Sequence, residues 1–140
     1  MTLDEIRSIH DDPAYRDPTA ARWLDLLAQD IYAWSVEKGF WAVPLPALQT
    51  SEAERYLTNL RKTQKLMLVV TELAELVEGL RTAEGPSSSI LGYTNEEEEI
   101  ADAIIRLLDY AGAFRLRIGQ ALLHKMAYNV GRPRLHGKEF

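Results

Sequence analysis

The sequence has no cysteine among its 140 residues. Thiol nucleophiles, iron–sulfur clusters and a cystine framework are therefore excluded, and a reducing, cytoplasmic setting is permitted. No uninterrupted apolar run approaches the roughly 20 residues of a membrane-spanning helix, and residues 1–10 carry acids without the basic and apolar regions of a secretory signal. Positive charge is also scarce: 16 Lys and Arg stand against 21 Asp and Glu, for a formal net charge of −5 and a pI near 5.2. That is opposite to the basic footprint of a phosphate-backbone binder. Neither nucleic acid nor a membrane is an expected partner, and a cytoplasmic protein is expected. Alternating apolar patterns fit for a sheet are missing, as are long internal repeats.

What remains is a chain of 15.9 kDa with 46% hydrophobic and 26% charged residues. This suits one globular domain over 1–140, since a chain of that size buries about 70% of its unfolded surface. Residues 1–17 read as an extension and 130–140 as a basic tail. At Asp17-Pro18-Thr19 an acceptor precedes a proline suited to a first helical position, which predicts a helix to about Lys38, ended by Gly39. Trp23, Leu24, Leu27, Ile31 and Trp34 form its apolar stripe. Phe40 to Thr50, with Pro44 and Pro46, reads as rigid chain packed on the body. Ser51 with Glu54 is a capping-box signature. It opens a long predicted helix to Arg81, whose buried side is expected from Tyr56, Leu60, Leu66, Val69, Val70, Leu73, Leu76 and Val77. Gly85, Pro86, Ser87 to Ser89 and Gly92 make a loop. A third helix is predicted from Thr94 or Asn95, with Glu96 to Glu99 at its positive end and a stripe of Ile100, Ile104, Leu107, Leu108 and Ala111. A break near Arg115 to Ile118 precedes a last helix to about Asn129. The expectation is an all-α antiparallel bundle of about four main helices.

Two of these helices carry acids at i, i+3: Glu72 and Glu75 on one, Glu99 and Asp102 on the next, with Glu78 extending the first ladder. Residues at that spacing point the same way. On an exposed face such pairs are common and cost only about 0.2–0.5 kcal/mol each. Both ladders lie inside apolar stretches, however. Carboxylates about 5 Å apart at an effective dielectric near 20 repel by roughly 3 kcal/mol, so a partly buried cluster requires cations or raised pKa values. All-oxygen ligation selects hard ions, Mg²⁺ or Mn²⁺. A ferritin-like di-iron site wants Glu-x-x-His, which neither ladder has. Lys65, two turns before Glu72, and Lys125 are candidates for a phosphate oxygen, and Trp41 for stacking on a base. Ser87 to Ser89 lack a catalytic context, and His10, His124 and His136 have no partner at ligand or triad spacing.

Three blocks carry a resemblance to a known family. They are the run Thr71-Glu72-Leu73-Ala74-Glu75-Leu76-Val77-Glu78-Gly79-Leu80-Arg81, then Glu99-Ile100-Ala101-Asp102, and the ending Lys125-Met126-Ala127-Tyr128-Asn129 with Arg132-Pro133 and His136-Gly137-Lys138. Together they resemble the MazG-like branch of the all-α NTP pyrophosphatase superfamily, whose pattern is Glu-x-x-Glu, a variable loop, then Glu-x-x-Asp. The likeness covers about residues 65–140. It implies a Mg²⁺-dependent hydrolysis, with Mn²⁺ as a substitute, of an NTP or dNTP to the monophosphate and pyrophosphate by a homodimer or homotetramer. Glu72, Glu75, Glu99 and Asp102 match the family's catalytic metal ligands. Lys125 and Asn129 match positions that face the nucleotide, in some relatives from a neighbouring subunit. Two positions depart: Thr71, where many members have a further acid, and Arg106, where many have an aromatic. The alternative is a catalytically silent helical dimer that senses a nucleotide or binds a protein.

Overall fold

The computed structural model describes residues 18–41, 51–82, 85–130 and 132–133. They form four helices: α1 (Pro18–Glu37), α2 (Glu52–Thr82), α3 (Asn95–Ala113) and α4 (Ile118–Val130). No strand occurs among the described residues, only an isolated bridge between Pro86 and Thr94. No helix is long and apolar enough to cross a membrane. The predicted extension 1–17, the Pro44–Pro46 segment and most of the basic tail lie outside the described residues.

The helix ends follow local chemistry. At the end of α1 the Phe40 N–H donates to the Ser35 carbonyl and the Gly39 N–H to the Val36 carbonyl, both at 3.0 Å. This pair is a Schellman closure, which puts Gly39 in the left-handed region at φ 83°. Ser51 and Glu54 cap α2 reciprocally, with backbone-to-side-chain bonds of 2.9 and 3.1 Å. Thr94 and Glu97 repeat the motif on α3 at 2.8 and 3.2 Å. Each box satisfies two backbone N–H groups that the helix leaves without partners.

The chain divides into two compact units, one holding the described residues up to Leu27 and from Arg115 on, the other those from Ala28 to Phe114. In the first, Gly119 of α4 meets Ala21 of α1 so closely that a Cβ would collide with the Ala21 carbonyl. There the Gly119 N–H donates to Asp25 at 2.8 Å, which places an acid at the positive end of α4.

In the second unit α2 and α3 pack along each other. Their contacts run Lys65 to Asp109, Glu72 to Arg106 and Glu75 to Glu99, so the pair is antiparallel. Gly112 of α3 lies against the Ala28 backbone, and a Cβ on it would also come within 2.8 Å of Tyr32 Cβ. The two nearest blocking atoms belong to the Ala28 backbone and cannot swing away. Gly112→Ala is therefore expected to destabilise the protein by about 1–3 kcal/mol in urea denaturation. An unchanged midpoint would show that this close approach is absent in solution.

The buried side of α2 differs from the predicted one. Val69 is buried and Leu76 half-buried, but Tyr56, Leu60, Leu66, Val70, Leu73 and Val77 are exposed. The row turned inward is instead Thr58, Lys65, Val69, Glu72 and Gly79. Thr58, Lys65, Glu72 and Gly79 recur every seven residues, so they share a face. On α1 the same happens: Ala21, Ala28 and Ser35 are buried, while Trp23 and Trp34 of the expected stripe are exposed. Small and polar side chains line these close contacts, and the large apolar ones are left outward.

Candidate active site

The register of α2 against α3 brings the two acidic ladders together. Carboxylate oxygens of Glu72, Glu75 and Glu99 all lie within 4.8 Å of one another. Asp102 lies outside that group of three, yet near enough to Glu72 and Glu99 for their charges to couple. Glu72 is buried, Glu99 and Asp102 are half-buried, and Glu75 is exposed at the rim. One turn of each of two helices thus places four acids at the boundary between packed interior and solvent.

The electrostatics follow from this crowding. Loss of hydration on burial, then the charges of Glu75, Asp102, Glu72 and Glu98, push the Glu99 carboxyl above its ordinary pKa. Asp102 is raised in the same way, first by burial and then by Glu72, with Arg106 acting in the opposite direction. Oε2 of Glu99 is buried with no hydrogen-bond partner. A buried acceptor without a donor is costly, and a hard divalent cation is the group that three converging carboxylates fit. Neighbouring acids are otherwise engaged. Glu98 accepts from the Ser87 hydroxyl at 2.6 Å, and Glu78 pairs with Arg81 at 3.6 Å on an exposed face.

Arg106 belongs to the cluster as well. Its Nε donates to Oε1 of Glu72 at 3.0 Å. It stands one turn beyond Asp102 on α3, at the position singled out in the sequence as departing from the family pattern.

Trp41 and Lys65, the candidates for a base and a phosphate, are placed together in a buried network that sequence reading missed. Lys65 Nζ donates to Asp109 Oδ2 at 3.1 Å and to the Phe40 carbonyl at 3.2 Å, and lies 4.0 Å from the Trp41 ring centroid. The Trp41 indole N–H donates to Asp109 Oδ1 at 2.8 Å. Asp109 thus ties the end of α1 to α2 and α3. The available signal was an acid inside the apolar run Leu107-Leu108-Asp109-Tyr110, seven residues after Asp102 and so on its face. Lys125 and Asn129 are exposed on α4, with Lys125 Nζ 4.7 Å from the Tyr128 ring.

A cleft of about 600 Å³ opens where α2 ends and α3 begins, lined by Leu76, Gly79, Leu80, Pro86, Tyr93 and Asn95 among others. None of Glu72, Glu75, Glu99 and Asp102 lines it. Comparison with protein families, curated proteins and solved structures returns no match.

Proposed function

We propose that this protein is a divalent-cation-dependent nucleoside triphosphate pyrophosphohydrolase, cleaving an NTP or dNTP to the monophosphate and pyrophosphate. The observation that carries this reading is the convergence of Glu72, Glu75 and Glu99 at 4.8 Å or less beside Asp102, with a buried Glu99 oxygen left without a partner. The resemblance to MazG-like pyrophosphatases in the same residues supports it.

Glu72, Glu75, Glu99 and Asp102 would hold Mg²⁺ or Mn²⁺. When bound, such an ion neutralises phosphate oxygens and lowers the pKa of a water poised for attack. The chain supplies the rest. The carboxylates of α2 and α3 fix where the triphosphate's charge is tolerated, because without a cation they repel it. Cleavage breaks the bond between the α and β phosphates, water adds its oxygen to phosphorus, and a ladder carboxylate takes the water's proton. Glu75 and Glu78, both exposed on the outer side of the α2 ladder, are the carboxylates for that proton. The cleft where α2 ends and α3 begins has a volume within the range of small-molecule sites, roughly 300–1,000 Å³.

Homo-oligomerisation belongs to the same reading. On α2, Val70, Val77 and Leu80 are 51%, 54% and 61% exposed, and on α3 Ile100, Ile104 and Leu107 are exposed too. Apolar side chains in such number on two packed helices need cover. A second copy supplies it. Val77→Lys is expected to shift the protein toward monomer in analytical ultracentrifugation with helicity retained; an unchanged sedimentation profile would remove this face from the interface.

The activity is tested by incubating the protein with each NTP and dNTP plus Mg²⁺ and assaying pyrophosphate. Release of pyrophosphate from at least one nucleotide, abolished by chelator, is the expected result. No product from any nucleotide by the folded protein favours the silent, nucleotide-sensing or protein-binding helical dimer.

A further inference from the structure

Arg106 is unusual for an ion pair at a helix surface. Exposed pairs contribute about 0–1 kcal/mol and leave both groups in water. Here the Glu72 side chain is only 9% exposed, while Arg106 is 31% exposed. A carboxylate buried to that degree needs a compensating cation, and Arg106 provides one through a single Nε to Oε1 bond. The guanidinium has a second neighbour: its carbon lies 5.7 Å from the ring centroid of Phe40, an exposed side chain. A planar cation can rest on an aromatic face when it leaves a carboxylate.

We infer that Arg106 is an internal competitor for the divalent cation: it neutralises Glu72 in the metal-free protein and is displaced when the ion enters. This rests on the reading of Glu72, Glu75 and Glu99 as metal ligands. The bond engages the same carboxylate that offers one oxygen within 4.8 Å of an oxygen of each of the other two acids. Arg106 therefore opposes loading twice, by holding a ligand and by placing a positive charge beside a dication. Both effects have the same sign. Arg106 is a positioning residue for Glu72, and it sets the site to load only when the cation is abundant or arrives with its nucleotide.

The test is a Mn²⁺ titration of the full chain without nucleotide, following free Mn²⁺ by electron paramagnetic resonance, for wild type, Arg106→Gln and Arg106→Lys. Arg106→Gln is expected to bind Mn²⁺ at least about tenfold more tightly than wild type, through loss of the nearby positive charge. It should also melt lower than wild type without metal and show the larger rise in Tm when Mn²⁺ is added. Arg106→Lys, which keeps the charge on a flexible stem, should tighten binding less. Saturable binding by wild type that is unchanged or weaker in Arg106→Gln overturns the inference and leaves the metal reading standing. Absence of saturable binding in every variant overturns both. Should Arg106→Gln fail to fold, Arg106→Lys decides by the same criterion, tighter binding supporting the inference and unchanged or weaker binding overturning it.

Discussion

Glu99→Gln is expected to reduce nucleotide hydrolysis by on the order of 10²–10³-fold or more, the scale on which removing one charge-stabilising group from an active site acts, while the metal-free protein melts no lower than the parent. The two effects have one cause. Glu99 lies among Glu72, Glu75 and Asp102 with a buried oxygen that nothing bonds, so on the proposed reading its charge serves a bound cation and without one opposes the fold. A carboxyl whose pKa is raised on folding binds protons more tightly in the folded state. Stability of the metal-free protein therefore falls as pH rises from the ordinary carboxylate value through the raised one. Glu99→Gln should flatten that fall. Glu72→Gln should lose turnover too but melt lower, because a neutral amide holds the partly buried Arg106 guanidinium less strongly than a carboxylate does. Pyrophosphate assays and thermal melts with and without Mg²⁺ check both; turnover that persists in Glu99→Gln contradicts the ligand assignment.

Asp109→Ala is expected to destabilise the protein by about 3–5 kcal/mol, the cost of leaving a buried charge without its partner. Lys65 and Asp109 side chains are 9% and 5% exposed, and Asp109 also accepts from Trp41. The double variant Lys65→Met with Asp109→Leu removes both charges and should recover much of that loss, since an apolar pair of similar volume tolerates burial. Urea denaturation measures each. If Asp109→Ala unfolds at the wild-type midpoint, the network is not a structural tie.

The parts legible in the sequence are those set by neighbours along the chain. Ser51 with Glu54 and Thr94 with Glu97 place two helix starts because a capping box closes within one turn, and Gly39 marks the end of α1 because only a left-handed residue completes that closure. Glu72 with Glu75, and Glu99 with Asp102, are legible as ladders because their spacing equals about one turn. What was not legible depends on partners far along the chain. Lys65 meets Asp109 across 44 residues, and nothing local distinguishes a buried, paired lysine from one awaiting phosphate. The inward face of α2 escaped prediction for a related reason: apolar periodicity reports which side avoids water, and here large side chains are exposed while Thr58, Lys65, Glu72 and Gly79 are buried, Lys65 and Glu72 against Asp109 and Arg106 of α3. Gly112 against Ala28 is likewise a matter of interhelical distance, which composition does not encode.

The central claim is that acids from α2 and α3 share one divalent ion. Crystals of the full chain soaked in Mn²⁺ and measured for anomalous scattering test it most directly. The account predicts a peak bounded by oxygens of Glu72, Glu75 and Glu99, with Asp102 drawn toward it and Arg106 moved off Glu72. Peaks confined to other surface acids, with Arg106 still bonded to Glu72 and this cluster empty at saturating Mn²⁺, would contradict it.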